Sequence, residues 1–158
     1  MFTDQIRAKA QILVRRPREE VFDAFVDPQT MSKFWFTRTD QGLREGETVA
    51  WCVGDAPDAF EIVVRVKSIE RPSRIDIEWG HGDQFTTVEW TFLEQSPDVT
   101  RLVIEERGFS GSHEEIVSQA LDSTGGFNQV IIALKALLEH HATINVVADH
   151  VSSSCRGD

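Results

Sequence analysis

Few side chains in this sequence combine type and placement in a way that could do chemistry, and the clearest is one carboxylate. Leu102, Ile104 and Glu106 alternate with Val103, Glu105 and Arg107, which gives Glu106 the parity of the apolar side of its strand. A carboxylate there is costly unless it is paired or hydrogen-bonded. Facing a cavity, it could hold the polar end of a ligand or act as a general acid or base; at a strand end, it would meet water or an arginine. Around it stands an unusual aromatic set, four tryptophans and ten phenylalanines with no tyrosine. Trp79 and Trp90 share faces with apolar strand neighbours, and Trp51 shares one with Val49 and Val53. Phe60 lies with Ile62, Val64 and Val66, Trp35 ends a short helix where a pocket mouth would be, and Phe127 and Ile131 belong to the apolar stripe of the last helix. Such residues either line a pocket for an apolar ligand or fill a core. With Glu106 they form the candidate ligand-binding set.

Other reactive types are placed less usefully. His81-Gly82-Asp83 reads as a turn, and His140 and His141 point about 100° apart on a helix, too divergent to bind one ion. The sequence has no nucleophile elbow, phosphate-binding glycine loop or dinucleotide fingerprint. No catalytic residue, metal or cofactor is therefore expected. Cys52 and Cys155 read as free thiols.

The elements that must position these residues follow from periodicity. Residues 6–14 alternate as a half-buried strand. Pro17, Glu19 and Glu20 open a short helix over 17–26, and Asp27-Pro28 starts a second that carries Met31 and Phe34 towards Trp35. From 43 to 109 the period is two, in blocks separated by turn residues, one face apolar and the other charged, as in an antiparallel sheet. Ser112 and Glu115 form a capping box ahead of a short helix over 113–121. After a break at Gly125-Gly126, Phe127, Val130, Ile131, Leu134, Leu137 and Leu138 recur at helical spacing, a helix suited to cover the sheet. The glycines are expected to let its start approach the sheet closely. Residues 1–149 are expected to form one domain and 150–158 a disordered tail.

With 158 residues and a formal net charge of −10, the chain is expected to avoid nucleic acid and anionic membranes. Its first residues lack the basic segment and apolar run of a signal peptide, so a cytoplasmic protein is expected.

Three stretches carry a family resemblance: PREEVFDAFVDPQTMSKFW at 17–35, TRLVIEERGF at 100–109 and GGFNQVIIALKALLE at 125–139. Together with the element order, they make residues 6–145 similar to the START-like helix-grip, or SRPBCC, superfamily. Within it, the sequence resembles the activator of heat-shock-protein-ninety ATPase homologues, with Gly126-Phe127 standing for the family's usual Gly-Trp pair. The resemblance implies an α+β fold in which a curved antiparallel sheet wraps a long C-terminal helix around a cavity, with two short helices after the first strand. The leading expectation for function is non-covalent binding of a small, mostly hydrophobic molecule in that cavity. A chaperone cofactor acting through a protein interface and a polyketide cyclase-like or hydrolase-like enzyme are the alternatives, since one fold hosts all three.

Overall fold

The computed structural model describes residues 6–36, 38–39, 41–52 and 61–154. Phe60 and Val53 thus lie outside the described residues. The first strand, β1 (Ala8–Val14), buries Ala8, Ala10 and Val14, as its alternation predicts. It leads into α1 (Arg18–Val26), which follows Pro17 and carries Glu19 and Glu20 in its first turn, where carboxylates favour the helix N-terminus. The next helix, α2 (Pro28–Met31), has Pro28 at its start and Asp27 as N-cap, the carboxylate accepting from the Gln29 N–H at 3.2 Å.

Six strands follow among the described residues: β2 (Arg38–Thr39), β3 (Thr48–Cys52), β4 (Glu61–Glu70), β5 (Arg74–His81), β6 (Gln84–Ser96) and β7 (Val99–Arg107). With β1 they form one antiparallel, curved sheet in the order β1-β7-β6-β5-β4-β3-β2. Register shifts at Val66/Ser68 and Glu94/Ser96 interrupt two long ladders, the kind of irregularity that bends a strand. The inner face is lined by Val64, Val66, Ile75, Ile77, Val88, Trp90, Phe92, Leu102 and Ile104, all fully buried or nearly so. The opposite face is laced with ion pairs such as Arg74–Glu89 and Lys67–Glu78.

The long helix α3 (His113–His140) closes the inner face, lying chiefly along β1, while α1 packs on β6 and β7. Its start is the expected capping box: Ser112 Oγ accepts from the Glu115 N–H, and Glu115 Oε1 accepts from the Ser112 N–H. The expected break at Gly125-Gly126 does not occur, and the separate helix over 113–121 is the first third of this single element. The buried face stays in phase across the glycines, from Ile116 and Ala120 to Phe127, Val130, Ile131 and Leu134. Local side chains brace the region, with Thr124 Oγ1 donating to Ala120 O (2.7 Å) and Asn128 Nδ2 to Thr124 O (2.8 Å). Nor do the glycines serve a close approach: a Cβ on either would meet open space.

A staple ties the end of α3 to the end of β1. Lys135 Nζ donates to Leu13 O and to Glu139 Oε2, both at 2.6 Å, the Arg15 N–H donates to the same Glu139 oxygen at 2.8 Å, and Arg16 Nε donates to Leu138 O at 2.9 Å. Burial pushes the Glu139 carboxyl up, but its bonds from Lys135 and Arg15 outweigh that and hold it below its ordinary range. The chain then forms a further helix, α4 (Val146–Ser154), where the sequence suggested that a tail would begin at 150. Val147, buried, and Val146, partly so, add to the core and anchor that helix, an apolar pair too short for a periodicity reading to separate from loop.

Candidate functional site

Open space lies at one end of the inner face, beside the β5–β6 hairpin. The hairpin is tight: His81 pairs with Gln84 across Gly82-Asp83, and Gly82 takes the left-handed φ of +64°. At Gly80, a Cβ would fall 1.9 Å from Gln84 O, so only glycine lets the two strands close here. Below the hairpin is a cleft of about 220 Å³. Ile62, Trp79 and Phe85 supply apolar wall, while His81, Gln84, Thr86, Glu106, Ser110 and Gln119 supply polar groups. Gln119 Nε2 donates to Ser110 O at 2.9 Å, which joins α3 to the loop after β7 at the rim.

Glu106 is the buried polar group of this cleft, 3% exposed. Its Oε2 accepts from Trp79 Nε1 at 2.9 Å and from Thr86 Oγ1. Its Oε1 is also buried and has no hydrogen-bond partner among the described residues. The sheet brings these three side chains together: Trp79 on β5 stands opposite Thr86 on β6, and Glu106 on β7 stands opposite Val88, two residues further along. Half of the carboxylate is therefore satisfied by two neutral donors, and half is bare.

Trp79 connects the cleft to the interior. Its ring stacks on Phe127 (centroids 5.8 Å apart, planes 11° apart) and meets Trp35 edge-on at 5.8 Å. Behind it the rings are continuous. Trp35 lies 4.8 Å from Phe36, 5.6 Å from Trp51 and 6.0 Å from Trp90. Trp35, Trp51, Trp90, Phe127 and Ile131 are buried members of one core cluster between the sheet and α3. Trp35 also borders a groove of about 30 Å³ with Ile144 and Val147, room for little more than a water molecule. Of the candidate set, Trp79 and Glu106 come together at the cleft.

Residues 15–139 match the family model described as activator of Hsp90 ATPase homolog 1-like protein. The chain belongs to that family. Among solved structures, the Staphylococcus saprophyticus protein SSP2350 is 28% identical, with a TM-score of 0.72 over 87% of this chain and 95% of that one. The Mesorhizobium loti protein MLL2253 is 18% identical, with a TM-score of 0.72 over 86% and 98% of the two chains. PFC0360w, an HSP90 activator from Plasmodium falciparum, is 16% identical, with a TM-score of 0.67 over 85% and 96%. The last two likenesses are of fold. No curated protein matches the sequence.

This member of the activator-homologue family has the helix-grip fold, with a cleft at the hairpin end among the described residues. Of the ten residues lining the cleft, eight are absent from the sequence-based set, His81 and Thr86 among them. Parity could have found these two, since His81 continues the series Ile75, Ile77, Trp79, and Thr86 continues Phe92, Trp90, Val88. The turn composition of residues 80–83 masked that signal. No described helix is long and apolar enough to cross a membrane. Among the described residues, no three His, Cys, Asp or Glu side chains gather as a metal site would require.

Proposed function

We propose that this domain binds a small, mostly apolar molecule non-covalently, in the cleft beside the β5–β6 hairpin, with Glu106 as its polar anchor. The observation that carries this reading is the buried Glu106 Oε1, which has no hydrogen-bond partner among the described residues and belongs to a residue lining open space. Leaving a buried acceptor unsatisfied costs about 1–3 kcal/mol, and a ligand donor would remove that cost. Burying roughly 200 Å² of apolar ligand surface would contribute about 5 kcal/mol before the cost of association, at about 25 cal/mol per Å². The test pairs native mass spectrometry of freshly purified protein with a fluorescence titration against neutral apolar compounds. A saturable change that shrinks in Trp79→Phe and weakens by about 1–3 kcal/mol in Glu106→Gln is expected. No saturable response across the panel would remove the binding role.

A chaperone-cofactor role is the second reading, supported by the family's description and by the HSP90 activator among its structural neighbours. It requires a protein interface and no ligand. Stimulation of a chaperone ATPase that Glu106→Gln leaves unchanged would favour it. Either role suits a cytoplasmic protein.

A further inference from the structure

We infer that the molecule held in the cleft is a small organic cation, an apolar body carrying a protonated amine whose N–H donates to Glu106 Oε1. The inference rests on the binding role proposed above and names the chemistry of its ligand. Three observations lead to it. First, Glu106 has no cationic partner: among the described residues, no ion pair includes it, although it is 3% exposed. A buried carboxylate without a counter-charge is a costly arrangement, and its usual remedy is a paired cation with a hydrogen bond. Second, the two donors it does have, the Trp79 indole and the Thr86 hydroxyl, are neutral and share one oxygen, so the site for a third donor is the other. Third, the described cleft lining contains no lysine or arginine, so no side chain there already supplies a fixed counter-charge.

Alternatives fare worse on the same grounds. A fatty acid or phosphate ester would set a second anion against Glu106, and like charges in such contact cost several kcal/mol. An alcohol would supply a hydrogen bond but leave the charge uncompensated. Arg65, which lies over the Phe85 ring at 3.8 Å, belongs to the charged outer side of the sheet and is drawn towards Glu78 there. The net charge of −10 adds a weak general attraction for cations.

The test uses three probes with one aromatic body and different heads: 2-phenylethylamine, 2-phenylethanol and 3-phenylpropionate. Each is titrated into the uniformly 15N-labelled full chain, and the indole N–H signal of Trp79, assigned through Trp79→Phe, reports the site. The amine should bind about tenfold more tightly than the alcohol, as expected for a charge-assisted bond over a neutral one, and the propionate should give no saturable shift. In Glu106→Gln the advantage of the amine should vanish. If the alcohol binds as tightly as the amine in the wild type, the cation assignment falls while the binding role stands, a ranking that does not depend on how the variant folds. If no probe moves the Trp79 signal, both fall.

Discussion

At Glu106 the inner face of the sheet changes from apolar to polar. On β5 the inward series runs Ile75, Ile77, Trp79, His81; on β6, read towards the same hairpin, it runs Phe92, Trp90, Val88, Thr86; on β7 it runs Leu102, Ile104, Glu106. Each series ends in a group that can hydrogen-bond, and the three ends meet at the cleft. The carboxylate depends on the Thr86 hydroxyl as well as the Trp79 indole. Thr86→Val keeps the shape and removes that donor, so it should lower stability by about 1–3 kcal/mol in urea unfolding. An unchanged midpoint would mean that water in the cleft already satisfies the carboxylate. The sequence reveals the parity of Glu106, because alternation is local. It does not reveal the donors, because they come from two other strands whose register depends on the hairpin.

At the scale of elements, α3 shows what periodicity reads well and what it misses. The capping box and the apolar stripe are both legible because each is a local pattern. The predicted break was wrong because two glycines weaken a helix without ending it when packing on either side holds the same phase. Since a Cβ at exposed Gly125 meets open space, Gly125→Ala should raise stability by about 1 kcal/mol, read as a higher thermal midpoint. Leu134 is fully buried in the same face, and Leu134→Asp should prevent folding, since an unpaired charge would enter the core. Circular dichroism would show the loss.

The staple to β1 makes a separate prediction about pH. The Glu139 carboxyl is held below its ordinary range in the folded protein, so its contribution to stability is present above the unfolded-state value and is lost as pH falls through the folded one. Lys135 supplies the foremost lowering interaction, opposed by burial. Lys135→Gln should therefore lower stability near neutrality, where that contribution is fully present, and the difference from the wild type should shrink as pH falls through the folded-state value, read by urea unfolding across pH.

For the molecule as a whole, the aromatic set decides where a ligand can go. The rings of Trp35, Trp51, Trp79, Trp90 and Phe127 meet one another between sheet and long helix, and Phe25 joins Trp35 and Trp90 to Phe92 on the far side. Large flat side chains at inward positions of several strands pack within the grip, and a cleft among the described residues opens at its end, where His81 and Thr86 replace apolar residues. From the sequence, a pocket wall and a packed core look alike, because both need apolar residues of the same parity; only the distances between rings separate them. Phe127→Ala distinguishes the two physically. In a filled core, removing a ring that stacks on Trp79 leaves a hole that its neighbours cannot close, and stability should fall by about 3–5 kcal/mol. Around a pre-existing internal cavity, the same truncation would cost far less, since fewer contacts would be lost. Urea unfolding of the variant gives the stability change, and the Trp79 indole signal shows whether the cleft has deepened into the space the ring vacated. A loss of several kcal/mol with a shifted Trp79 signal is the expected result; a nearly unchanged midpoint would place the ligand space inside the grip and away from the hairpin.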